Sequence, residues 1–142
     1  MKYRLIFLLL LAGFLGAQGL TAENGYLVTG RVLSEESGTV YLQLVDKEAF
    51  KEQEEGYWQG TLIEVEAGKK SEIFSFSDVP AGIYSIRAFL DANGNEKMDF
   101  SIFSIEPWGT YRPVRPRFRG PRFDEIAFRI DADQSDILVE IE

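Results

Sequence analysis

Hydrophobic residues in this chain alternate with polar ones at a period of two, in short runs separated by Gly, Pro, Asn, Asp and Ser clusters. Such alternation is typical of strands that bury one face of a sheet, whereas an amphipathic helix repeats its apolar positions every three to four residues. The pattern therefore predicts an all-β protein. Seven strands are expected, over residues 26–33, 39–46, 61–66, 71–77, 83–90, 125–130 and 135–141.

Two segments interrupt the alternation. Residues 47–60 are charged, and a short helix is predicted within residues 47–55 because Gly56 would end it. Residues 100–123 are rich in Pro and Gly and are predicted to be irregular. About seven short strands with turns between them favour a single immunoglobulin-like or prealbumin-like β-sandwich, with a small barrel as the alternative.

The amino terminus has a different pattern from the rest of the chain. Lys2 and Arg4 are followed by an apolar run from Leu5 to Leu15, which is typical of a secretory signal peptide cleaved after Gly19 or Ala22. The run is shorter than the roughly 20 residues of a spanning helix, although an uncleaved anchor is the alternative. Residues 1–22 are therefore assigned to a signal peptide and residues 23–142 to one β-sandwich domain. We expect the mature domain to be periplasmic or extracellular, with no membrane span.

The composition narrows the classes of function. The chain has 142 residues, a formal charge of −8, no cysteine and no histidine. An acidic exported domain is a poor partner for nucleic acid and suits divalent cations better. Without histidine it lacks the usual general base and the commonest zinc ligand, so a non-enzymatic role is expected. The enzymatic alternative is a hydrolase that pairs carboxylates among Glu106, Asp124 and Glu125.

The clearest chemical motif is the run from residue 91 to residue 99, Asp-Ala-Asn-Gly-Asn-Glu-Lys-Met-Asp. Calcium takes six to eight oxygen ligands, and a tight loop supplies them from alternating positions. Here the side chains of Asp91, Asn93 and Asn95 occupy positions 1, 3 and 5, the Lys97 carbonyl occupies position 7, and Asp99 occupies position 9. These five residues are predicted to bind Ca²⁺ in a structural role.

The motif departs from the usual calcium loop at two positions. Position 6 is Glu96 instead of glycine, and position 12 is Ile102 instead of a bidentate glutamate. A bound ion would therefore need another carboxylate, and the candidates are Glu96, Glu106, Asp124 and Glu125. The alternative is a hairpin turn without an ion, because Asn93-Gly94 also favours a type I′ turn.

A second motif concentrates positive charge within the irregular segment. Arginines at positions 112, 115, 117, 119 and 122 are interleaved with proline and aromatic residues. Residues 108–122 could therefore bind a polyanion or a glycan, with Trp108 and Tyr111 as aromatic contacts, as the alternative function. The competing interpretation is that the arginines pair with carboxylates of the same domain. A cell-envelope protein or glycan is the expected partner, and the oligomeric state is left open.

Three stretches of the chain resemble a known family of exported bacterial proteins, the domain of unknown function 2141. Residues 79–84 and 89–99 are similar to its pattern Leu-Pro-x-Gly-x-Tyr and Phe-His-Asp-x-Asn-Gly-Asn-Gly-x-Leu-Asp, and residues 120–128 are similar to a Gly-Pro-x-Phe-x-x-Ala-x-Phe region. The resemblance implies an exported β-sandwich and no particular activity. Leu90 stands in place of the family's histidine. Glu96 replaces the second loop glycine, which implies either a strained backbone or a changed loop.

Overall fold

The computed structural model describes residues 25–51, 55–66, 71–101 and 105–142, so the predicted signal peptide lies outside the described residues. Within these ranges the chain forms eight strands and two one-turn helices. They are β1 (Tyr26–Ser34), β2 (Gly38–Val45), α1 (Lys47–Phe50), β3 (Trp58–Val65), β4 (Ser71–Val79), β5 (Gly82–Asp91), β6 (Trp108–Thr110), α2 (Phe123–Ile126), β7 (Phe128–Ile130) and β8 (Gln134–Ile141). Neither helix is long and apolar enough to cross a membrane.

The strands form two sheets, which confirms the predicted all-β sandwich. One sheet has the order β4-β1-β8, and the other has the order β3-β2-β5-β6, with β7 also paired to β5. The pairs are antiparallel except for β1 and β8, which run parallel with Val28 opposite Gln134 and Ser34 opposite Ile141. Strand β5 lies inside the second sheet and pairs with β2, β6 and β7. Its end at Asp91 begins the predicted calcium loop.

The core lies between the inner faces of the two sheets. Alternate residues of the longer strands are buried there, as the period of two predicts. Burial of such apolar area is the main favourable term in folding for a domain that has no disulfide. The fully buried side chains include Val28, Val32, Val40, Leu42, Leu44, Phe76, Ile86, Leu90, Ile130, Ile137 and Val139.

The prediction of a strand over residues 125–130 is wrong for its first residues. Residues Phe123–Ile126 form α2, and the strand begins only at Phe128. The backbone N–H of Arg122 donates to Glu125 Oε2 at 2.8 Å, a contact that closes the first turn of a helix. Ile126 remains buried, but from the helix and not from a strand.

The prediction that residues 100–123 are irregular is also wrong in part, because Trp108–Thr110 form β6 against β5. A three-residue strand is too short to show alternation in the sequence. Two smaller differences concern bounds: β3 begins at Trp58 and not at residue 61, and α1 ends at Phe50, well before residue 55.

Candidate metal-binding loop and neighbouring groove

The Asp91 loop (residues 91–99) is held closed by the carboxylate of its first residue. Asp91 ends β5 and is only 6% exposed. Its Oδ1 accepts the backbone N–H groups of Gly94 at 2.7 Å and Asn95 at 3.2 Å, and its Oδ2 accepts that of Glu96 at 2.8 Å. One carboxylate therefore accepts three successive backbone N–H groups and closes the turn.

These bonds also set the ionisation of Asp91. Burial works to raise the pKa of Asp91, but hydrogen bonds from the backbone N–H groups of residues 93–96 outweigh it, and the pKa lies below its ordinary value. A carboxyl group whose pKa is lowered in the folded state stabilises the fold at pH values above its ordinary pKa. That stability is lost as the pH falls through the pKa of the folded state. Asp91 is therefore a carboxylate at neutral pH.

The other predicted side-chain ligands converge at the mouth of the same loop. The amides of Asn93 and Asn95 both donate to Asp99 Oδ2, the latter at 2.9 Å. The Oδ1 atoms of Asn93 and Asn95 accept the N–H groups of Asn95 at 3.0 Å and Lys97 at 2.9 Å. Each amide oxygen has two lone pairs, so each retains one for a cation.

Glu106 joins both ends of the loop. It is 5% exposed, and its Oε1 accepts the N–H of Ala92 while its Oε2 accepts the N–H of Asp99, each at 3.0 Å. The N–H of Glu106 in turn donates to the Asp99 carbonyl at 3.1 Å. Of the four carboxylates suggested by the sequence, Glu106 is the one whose position outside the loop brings it to this rim. Spacing alone could not identify it.

The other three candidate carboxylates do not contact the loop's hydrogen-bonded centre, because two are paired with cations and the third is exposed. Asp124 lies 3.3 Å from Lys47 Nζ, and Glu125 makes two bonds to Arg119. The hydrogen bond from the Arg119 side chain, helped by the N–H of Arg122, lowers the pKa of Glu125 to about 2. Glu96 is exposed and has a φ of 63°, so the backbone strain implied by its place in the family pattern is present.

The donor set at the loop is rich in neutral oxygens. Across the described ranges, no three His, Cys, Asp or Glu side chains form a group that could hold a metal ion. An ion in this loop would therefore depend on the amide oxygens of Asn93 and Asn95 and on the Lys97 carbonyl, together with Asp91 and Asp99. Calcium accepts such neutral oxygens, and a low count of carboxylates places a site among the weaker ones.

Two cations of the arginine segment (residues 108–122) are paired with carboxylates of the same domain. Arg115 lies 4.5 Å from the centre of the Trp108 ring and 3.5 Å from the Glu142 carboxylate. Arg119 is bound to Glu125 at 2.7 Å. Tyr111 packs edge-on against Phe128 beside the core and so does not form a free aromatic surface.

A groove of about 780 Å³ lies between the Asp91 loop and the arginine segment, on the outer face of the second sheet. Its floor holds an aromatic row, because Tyr41, Phe89 and Trp108 are direct neighbours across β2, β5 and β6. The Tyr41 and Phe89 rings are stacked with centres 5.0 Å apart. In the adjoining row the Arg87 Nε–H donates to Gln43 Oε1 at 3.1 Å. This groove was not predicted from the sequence, although the residues of its floor occupy outward-facing positions of the strands.

Comparison with known proteins gives one match. The family model described as uncharacterized protein conserved in bacteria, DUF2141, matches residues 28–138. The match includes the Asp91 loop, Glu106 and the arginine segment. No curated protein and no solved structure matches the chain.

Proposed function

This chain belongs to the DUF2141 family of bacterial proteins, and we propose that it is an exported, non-enzymatic β-sandwich module whose Asp91 loop binds Ca²⁺ in a structural role. The observation that supports the proposal most is the convergence of Asn93, Asn95 and Asp99 on a loop whose shape is fixed by Asp91 and Glu106. Side chains that the chain's own hydrogen bonds already hold together lose little conformational entropy when an ion binds. The Asn93 and Asn95 amides would have to turn, because their nitrogens face Asp99.

The role of the ion would be to join two parts of the second sheet. The Asp91 loop follows the central strand β5, and Glu106 precedes β6, which pairs with that same strand. An ion held at the loop would stabilise this rim and present it to a protein or glycan of the cell envelope. The non-enzymatic assignment is supported by the carboxylates suggested for hydrolysis, because Glu106 and Glu125 are both engaged in structural hydrogen bonds.

We expect calcium to raise the thermal stability of the purified protein. At an ion concentration about tenfold above the dissociation constant, binding to the folded state contributes about 1.4 kcal/mol. For a domain of this size that is a rise in Tm of roughly 5 °C. The measurement is thermal unfolding followed by circular dichroism in EDTA, in Ca²⁺ and in Mg²⁺, with the largest shift expected in Ca²⁺.

Two variants distinguish the stability that comes from the ion from the stability that comes from the loop's own hydrogen bonds. Asp99→Asn should abolish the calcium shift while changing the Tm in EDTA little, whereas Asp91→Ala should lower the Tm in both media because it removes the acceptor of three N–H groups. Asp131→Asn, at an exposed aspartate away from the loop, is the matched control. The same calcium shift in Asp99→Asn and in the wild type would contradict the proposed site.

The groove favours glycan binding as a second candidate function. A sugar ring has apolar C–H faces and hydroxyl edges, and the groove places aromatic rings beside the hydrogen-bonding pair of Gln43 and Arg87. Affinity electrophoresis through cell-wall polysaccharides should show retardation that Tyr41→Ser weakens about tenfold, the loss of one stacking contact. Trp58→Ser, at an aromatic residue that is 63% exposed outside the groove, should retain it. Equal behaviour of the two variants would exclude the groove.

A further inference from the structure

The charge of this molecule is unevenly distributed. Residues 108–122 contain five arginines and no acidic residue, although the whole chain has a formal charge of −8. At physiological ionic strength a charge is screened over about 8 Å, so a surface that touches this segment responds mainly to nearby charges, where the five arginines outnumber the Glu125 and Glu142 carboxylates that pair with two of them. The segment is therefore a cationic patch on an acidic protein.

The outermost part of this patch is an aromatic side chain. Phe118 is 97% exposed, more than any other large hydrophobic residue in the described ranges. Arg117 and Arg119 are its neighbours in sequence, and Arg119 is paired with Glu125. An apolar side chain standing in water beside cations fits a partner that offers both hydrocarbon and negative charge.

The arginines of the segment take two different roles. Arg115, stacked on Trp108 and paired with Glu142, and Arg119, paired with Glu125, attach the segment to the sandwich. Arg112 and Arg117 are exposed and make no salt bridge with any described residue. The paired arginines thus hold the segment in place, and Arg112 and Arg117, which have no salt bridge within the described ranges, are exposed to an external anion.

We propose that the arginine segment docks on an anionic phospholipid surface, with the Phe118 ring entering the interface and with Arg112 and Arg117 contacting lipid phosphates. A lipid surface engages both the Phe118 ring and the two arginines, whereas a soluble polyanion would engage the arginines and leave the ring in water. The docking is peripheral, and it does not depend on whether the Asp91 loop binds calcium.

The test is cosedimentation of the purified chain with vesicles at low salt. Vesicles of phosphatidylcholine mixed with phosphatidylglycerol should retain the protein, and vesicles of phosphatidylcholine alone should retain much less. An amino-terminal apolar segment that remained attached would bind both kinds of vesicle, and Lys2 and Arg4 would make it favour the anionic ones. The binding is therefore assigned to the arginine segment by comparing variants with the wild type. Binding should fall as salt is added, because cations near a membrane act through screened electrostatics.

Single substitutions test whether Phe118, Arg112 and Arg117 make the contact with the vesicles. Phe118→Ser should weaken binding about tenfold because it removes the ring that enters the lipid interface. Arg117→Gln or Arg112→Gln should weaken binding about fivefold each. The controls lie on the other sheet, where Arg31 and the 77% exposed Ile73 are paired neighbours. Arg31→Gln and Ile73→Ser should bind like the wild type.

Two outcomes would overturn the proposal. One is the absence of any preference for anionic vesicles at low salt. The other is binding that Phe118→Ser leaves unchanged and that a soluble sulfated polysaccharide or inorganic phosphate competes away. That second result would assign the arginines to a soluble anion and exclude insertion of the ring.

Discussion

At the scale of single residues, Glu96 should be replaceable with a gain in stability. Its φ of 63° lies in the left-handed region, which glycine adopts without the steric penalty that a side chain meets. Glu96→Gly should therefore raise the free energy of unfolding by about 1 kcal/mol, the usual cost of such a backbone at a non-glycine residue less the added entropy of the unfolded chain. Urea denaturation measures the difference.

Two companion variants separate backbone strain from charge. Glu96→Gln removes the charge and keeps the strained backbone, so it should differ little from the wild type. Gly94→Ala, at a φ of 75° where no described atom lies within 4 Å of an added Cβ, should destabilise the protein through its backbone alone. If Glu96→Gln stabilised the protein as much as Glu96→Gly, the origin would be electrostatic and not conformational.

The residue spacing predicted part of the loop and missed the rest. Asp91, Asn93, Asn95 and Asp99 are brought together as their spacing suggested, because a tight turn gathers neighbours in sequence whatever the rest of the fold does. Glu106 was only one of four candidates, since its approach depends on the path of the chain between Asp99 and β6. Calcium binding itself stays a prediction.

At the scale of elements, β6 depends on a glycine. A Cβ built on Gly109 would lie 1.9 Å from the Glu140 carbonyl oxygen, because β6 passes close to β8 and Trp108 exchanges backbone hydrogen bonds with Glu142 at 3.2 and 3.3 Å. Gly109→Ala should therefore force these strands apart and lower the free energy of unfolding by about 1–3 kcal/mol. Gly120→Ala, where no described atom lies within 4 Å, is the matched control, and equal effects of the two would argue against close packing as the cause.

Element prediction succeeded where strands were long enough to show a period. Strands β1, β2, β4, β5 and β8 each have eight or more residues. The alternating apolar residues of β2, β4 and β5 are buried, as the pattern predicts. The three-residue strand β6 has no period to detect. The one-turn helix α2 was hidden because Ile126, Phe128 and Ile130 are all buried, so alternation continues across the change from helix to strand.

At the scale of the whole molecule, the sandwich followed from the number and length of the strands, but the pairing did not. Strand patterns identify inner and outer faces, whereas the order β4-β1-β8 and the parallel pairing of β1 with β8 depend on long-range contacts that no local pattern encodes. The groove was missed for the same reason. Its aromatic row exists only because three separate strands place Tyr41, Phe89 and Trp108 in register.

The central position of β1 also determines when this protein can fold during its synthesis. Strand β1 leaves the ribosome early, but one of its two neighbours, β8, is translated after all the other strands. The first sheet, and the core side chains that β8 supplies to it, therefore stay incomplete until residues 134–141 have emerged. The pairs β2-β3 and β2-β5 do not need β8, so the second sheet can begin to form earlier, and the complete sandwich forms only after most of the described chain has been translated.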